Sequence, residues 1–158
     1  MDKLMKLGMH TVAFAALLTL FAASAQAGQT NVAVAANFTE SAKEIAALFK
    51  QKTGNDAILS FGASGPFFAQ IIHDAPFQVF LSADQERPKA TVDAGLAVPG
   101  SRFTYAIGKL VLWSRVVDVT KGDEALKAGA FLKLSIANQN GAPYGTAAIE
   151  AMKALGVL

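Results

Sequence analysis

Cysteine is absent from the 158 residues, and histidine occurs only at His10 and His73. The first absence excludes disulfides, thiolate metal sites, cysteine nucleophiles and a lipid-modified cysteine after a leader. The second leaves almost no material for a His-rich metal site or a His-based triad. Charge is also scarce: 16% of residues are charged, 14 basic against 12 acidic, for a formal net charge of +2. No dense Lys/Arg stripe is present, so nucleic acid is not an expected partner. The chain is 53% hydrophobic, which excludes a disordered or collagen-like polymer. Its length suits one ordinary domain with a core of its own.

Residues 1–27 read as a cleaved secretory signal peptide. Lys3 and Lys6 give a positive start, Val12–Ala23 is almost wholly apolar, and Ala25-Gln26-Ala27 supplies a small-x-small cleavage site. The apolar run is shorter than the ~20 residues a membrane span needs. The expected mature chain is Gly28–Leu158, soluble and exported, and the lack of cysteine suits a compartment where free thiols are a liability.

After the leader, short apolar runs alternate with amphipathic stretches. Strands are expected at 32–36, 57–61, 79–81, 105–113 and 134–137. Helices are expected at 38–52, from Pro66 to about His73, near 87–94, near 124–127, and at 146–155. Phe38, Ala42, Ile45, Leu48 and Phe49 share one side of the first helix. Asn37 is placed to cap it, with Glu40 at capping-box spacing, and Thr53-Gly54 to stop it. This alternation implies an α/β fold with mainly parallel pairing.

Three strand-to-helix junctions carry the chemistry: Ala35-Ala36-Asn37-Phe38-Thr39, Phe61-Gly62-Ala63-Ser64-Gly65 and Pro143-Tyr144-Gly145-Thr146. Helix N-termini expose unpaired N–H groups and a positive dipole end, and so hold anions without a full positive charge. In parallel sheets such ends gather at the carboxyl edge of the strands. The plainer reading is that Asn37 and Ser64 only cap their helices. An enzyme reading is weak. Ser64 lies in a Gly-rich turn, but Pro66 stands where a nucleophile elbow needs its last glycine. His73 reads as a surface residue, and Asp84 as a helix cap or hinge residue rather than an acid–base group. Lys109 reads as an exposed position on an edge strand. Trp113, Tyr105, Phe67 and Phe68 read as core or interlobe packing residues.

Read in order, these junctions resemble the periplasmic molybdate-binding proteins of molybdate ABC transporters, over essentially the whole mature chain. The most specific stretch is Ala75-Pro76-Phe77-Gln78-Val79-Phe80-Leu81-Ser82-Ala83-Asp84-Gln85. It is very like the family's GAP-D-FISADQ signature, with Gln78 where Asp is usual. Val34–Asn37, Ser60–Gly65, Ala142–Gly145 and the run Ser101–Ser114 add to the likeness. The resemblance implies a two-lobed, type II periplasmic-binding-protein-like fold that closes on a tetrahedral oxyanion, molybdate or tungstate. The implied donors are hydroxyl and backbone N–H groups. Asn37 stands where many members have a contacting Ser, Ser64 at the second contacting Ser, and Tyr144 where a backbone N–H from the second lobe reaches the anion. An amide at Asn37 still donates. Neutral donors hold a dianion in a dry cleft without burying a cation beside it. No cofactor, catalytic residue or metal-ligating side chain is implied; molybdenum enters only as the oxyanion. The implied partners are a membrane permease and its ATPase, with the binding protein itself a periplasmic monomer.

The resemblance also implies that members continue well past Leu155-Gly156, with a further backbone donor and a tyrosine contacting the anion there. The chain is therefore expected to be truncated at its C-terminus, with lobe one over 28–103 and lobe two over 104–158, each partial. Weak or no molybdate binding and poor thermal stability are the expected consequences. The rival functions are a binder of sulfate, thiosulfate or phosphate, a truncated product without function, and a Ser64-dependent hydrolase.

Overall fold

The computed structural model describes residues 27–158. The expected leader lies, apart from Ala27, outside the described residues. Three parallel strands form the sheet: β1 (Gln29–Ala35), β2 (Asp56–Gly62) and β3 (Val79–Leu81), in the order β2-β1-β3. The register pairs Val32 with Leu59 and Val79, and Val34 with Phe61 and Leu81. Parallel neighbours need long crossovers. Helix α1 (Thr39–Thr53) joins β1 to β2, and α2 (Ser64–Ile71) joins β2 to β3. Helix α3 (Glu86–Asp93) follows β3, and α4 (Asp123–Ala128) and α5 (Pro143–Leu155) complete the described chain. The α/β class with parallel pairing is as the alternation predicts. No helix among the described residues is long and apolar enough to cross a membrane.

Strand periodicity places the core. One face of the sheet carries Val32 and Val34 with Ala57, Leu59 and Leu81, and Ala42 and Phe38 pack on it. On the opposite face the central strand buries only small side chains, flanked by Ile58 and Ser60 on one side and Phe80 on the other. Ala33 and Ala35 are buried there, and Gly62 leaves room for the Phe67 ring, which lies 3.1 Å from where a Cβ would stand. Phe67 is buried and meets Phe77 edge-on at 5.4 Å. Gly54, at φ 74°, ends α1 in the left-handed conformation that glycine adopts without strain. At Gln78, the side-chain Oε1 accepts the Asn31 N–H at 2.7 Å, and the Gln78 N–H donates to the Asn31 carbonyl at 3.0 Å. The amide thus keeps the acceptor that a carboxylate would offer.

Several expectations are corrected. Asn37 does not cap α1. It is the middle of a single 3-10 turn, Ala36–Phe38, and the helix starts at Thr39 without a side-chain cap. The turn supplies backbone satisfaction instead: the Thr39 N–H bonds back to Ala36 O, and its hydroxyl donates to the same carbonyl at 2.8 Å. Glu40 pairs with Lys43 rather than reaching back. The apolar side of α1 is covered only at its start; Ile45 and Leu48 are half exposed. The segments 105–113 and 134–137 are not strands. A strand exists only against a ladder partner, and neither segment finds one among the described residues. They instead line one apolar groove of about 630 Å³ with α4 and α5. Trp113, expected to pack inside, is 74% exposed, and Lys109 is exposed without an edge strand around it. His73 is exposed, as predicted, but in the turn after α2.

Candidate functional site

The carboxyl ends of β1 and β2 lead straight into helical turns, and the turn after β3 lies beside them. There a cavity of about 160 Å³ is lined by Ala35, Ala36, Asn37, Gly62, Ala63, Ser64, Ala83, Ala137, Ala142, Pro143 and Tyr144. Organic-ligand pockets run to roughly 300–1,000 Å³, so this one suits a ligand of a few heavy atoms. The structure therefore brings Asn37, Ser64 and Tyr144 to one cavity, although 107 residues of chain separate the first from the last. No lining residue carries a charge. Among the described residues no cluster of three or more His, Asp or Glu is placed to hold a metal ion.

Each junction presents its donor for a local reason. Ser64 is fully buried at the first position of α2, whose N-cap is Ala63 without a side-chain cap. Its Oγ accepts the Ala83 N–H at 3.0 Å. A hydroxyl has one proton and two lone pairs, so accepting from Ala83 leaves the proton free of that bond. Neither Asn37 nor Ser64 spends its side chain on a cap, and the plainer reading of both residues is set aside. Tyr144 follows Pro143, which occupies the first turn of α5. At that depth a helix provides no partner for an N–H. Gly145 is buried and lets α5 approach residues 137–139: a Cβ there would fall on the Ala137 carbonyl oxygen and 2.7 Å from Gln139 N. Gly65 N–H donates to Gly141 O at 3.1 Å and ties the start of α2 to the loop before α5.

The turn after β3 is fixed by Asp84. Its Oδ1 accepts the Arg87 N–H at 3.0 Å and the Ser82 hydroxyl at 3.2 Å, and its other oxygen pairs with the Arg87 guanidinium. Asp84 stands one residue before the N-cap, Gln85, and holds the first turn of α3 through the Arg87 N–H, with its charge met by the Arg87 guanidinium. Removing the carboxylate in Asp84→Ala is expected to lower unfolding stability by about 1–2 kcal/mol, read as the midpoint of urea denaturation.

Tyr105 is the residue whose part at this site the sequence does not announce. Its ring packs against Phe38 at 5.0 Å, and its hydroxyl donates to Ser82 O at 2.7 Å. Partial burial, with the neighbouring Tyr144 phenol, raises its pKa above the usual tyrosine value. The folded state thus favours the neutral phenol. That stabilisation is complete below the unfolded pKa of about 10 and is lost as pH rises through the folded value. A thermal midpoint that falls above pH 10, and falls less in Tyr105→Phe, is the expected result.

Known proteins match the chain across these elements. The family described as bacterial extracellular solute-binding protein matches residues 30–158. The molybdate-binding protein ModA of Rhodobacter capsulatus is 55% identical over 147 residues, which cover 90% of this chain and 56% of that protein. ModA of Azotobacter vinelandii is 50% identical over 139 residues, covering 87% and 55%. The solved Azotobacter vinelandii periplasmic molybdate-binding protein superposes with a TM-score of 0.76 at 42% identity, over 82% of this chain and 56% of that one. The chain thus spans little more than half the length of the relatives it matches. These relatives are binding proteins, not enzymes. The chain belongs to the bacterial extracellular solute-binding protein family and is a homologue of its molybdate-binding members.

Proposed function

We propose that this chain supplies the substrate-binding residues of a molybdate or tungstate ABC uptake system. It would act as a monomer in the periplasm after removal of residues 1–27, and deliver its anion to a membrane permease driven by an ATPase. The observation that carries this reading is the convergence of three helical starts on one small cavity without a charged side chain. Asn37 donates its amide, Ser64 its hydroxyl and Tyr144 its backbone N–H. Residues 28–103 and 104–158 act as the two lobes, and the cavity lies where they meet.

Hydrogen bonds to a charged acceptor contribute roughly 1.5–3 kcal/mol each. Three of them, less the freedom lost on association, put the affinity of these residues no tighter than about micromolar. Calorimetric titration of Gly28–Leu158 with sodium molybdate, tungstate and sulfate tests the reading. Saturable 1:1 binding of molybdate, competed by tungstate, is expected. Stronger binding of sulfate than of molybdate would favour the rival oxyanion reading, and heat from none of the three would leave residues 28–158 without an anion site of their own.

A further inference from the structure

We infer that Tyr105 is a positioning residue of the anion site, acting through one peptide group on the Ser64 hydroxyl. The Tyr105 hydroxyl donates to the carbonyl of Ser82 at 2.7 Å. The N–H of the next residue, Ala83, donates to Ser64 Oγ at 3.0 Å. These two bonds hold the same peptide unit, because Ser82 C=O and Ala83 N–H share one planar linkage. In a trans peptide the two groups point in opposite directions, so Tyr105 and Ser64 grip the unit from its two sides. None of the peptide bonds here is cis.

A continuous chain of donors results. It runs from the Tyr105 hydroxyl through the Ser82–Ala83 peptide to Ser64 Oγ, and it ends on the one Ser64 proton free to face the cavity. Each bond in such a chain polarises the next. The Tyr105 bond therefore strengthens the Ala83 N–H as a donor. It keeps a lone pair of Ser64 engaged, which directs the hydroxyl proton outward to an acceptor. The burial of Ser64 and Ser82 removes competing water from the middle of the chain. The contact between the Tyr105 and Phe38 rings sets the first link, and Phe38 follows Asn37 directly in the 3-10 turn. One residue from the 104–158 part thus steadies two of the donor turns of the other part. Tyr105 is not among the residues that line the cavity, so its effect is not contact with the anion.

This inference rests on the proposed oxyanion function for its affinity readout, and a second readout is independent of it. The experiment compares the wild type with Tyr105→Phe, Ser64→Ala and the double variant, using molybdate as the titrant. Tyr105→Phe is expected to weaken molybdate binding about threefold to tenfold in the Ser64 background and to leave it unchanged in the Ser64→Ala background. Equal loss in both backgrounds would show that Tyr105 only supports the fold, and would overturn the inference. In the ligand-free protein, Tyr105→Phe is expected to move the Ala83 amide proton upfield, while amides of α4 stay in place. An unmoved Ala83 amide would overturn the inference even if molybdate fails to bind the wild type.

Discussion

Replacing Ser64 by alanine is expected to weaken molybdate binding tenfold to a hundredfold. The hydroxyl is the one side-chain donor of the cavity that is fully buried. A bond from it to a dianion is charge-assisted and made in a site that excludes water, which puts its contribution at roughly 1.5–3 kcal/mol. The same substitution strips the Ala83 N–H of its acceptor, so a loss of unfolding stability of about 1–3 kcal/mol accompanies it. Val34→Ala separates the two effects. Val34 is fully buried in the central strand and does not line the cavity, its side chain lying on the opposite face of the sheet from that of Ala35. Its truncation is expected to destabilise by about 2 kcal/mol and to leave the affinity unchanged. Isothermal titration of both variants, with denaturation curves beside it, gives the comparison. A Ser64→Ala protein that binds as the wild type does would remove Ser64 from the site.

The second large effect is expected at Gly145. A methyl group there would meet backbone, not the movable end of a side chain: the Ala137 carbonyl oxygen, Asn138 C and Gln139 N. The loop and the first turn of α5 must separate to admit it. Overpacking of this kind destabilises by about 1–3 kcal/mol. The shift carries Tyr144 N–H, one residue earlier, away from the cavity that Ala137 and Ala142 also line. Gly145→Ala is therefore expected to lose at least tenfold in molybdate affinity. Gly129→Ala is the matched control. Gly129 ends α4 at φ 61°, and alanine there is strained by about 1–2 kcal/mol far from the cavity. It is expected to lower stability without touching binding.

Much of the site is legible in the sequence because helix starts are local events. Gly62-Ala63-Ser64-Gly65-Pro66 and Ala142-Pro143-Tyr144-Gly145 announce turns into helices; the alternation of strand and helix puts the first on the carboxyl edge of the sheet, whereas the second follows a loop and is tied to the first by the Gly65–Gly141 hydrogen bond. The capping of α1 is less legible. Asn37 with Glu40 matches a capping pattern, yet the Thr39 N–H that such a cap would hold already donates to the Ala36 carbonyl within the 3-10 turn. Two apolar segments mislead for a different reason. Composition reports that 105–113 and 134–137 prefer an extended, buried setting, but pairing is supplied by other parts of a sheet. Tyr105 reads in the sequence only as a packing residue, which its contact with Phe38 bears out; its hydrogen bond is not legible. A lone tyrosine has no spacing signature, and its role follows from meeting the Ser82 carbonyl 23 residues away.

The account depends on three separated donors acting on one anion, and amide chemical shifts followed during a molybdate titration test that most directly. The amides of Asn37, Ser64 and Tyr144 are expected to shift together along a single binding isotherm, while those of Lys121 and Glu124 in the distant α4 region remain fixed. Shifts confined to the apolar groove around Leu110, Phe131 and Met152, or different midpoints for Ser64 and Tyr144, would contradict it.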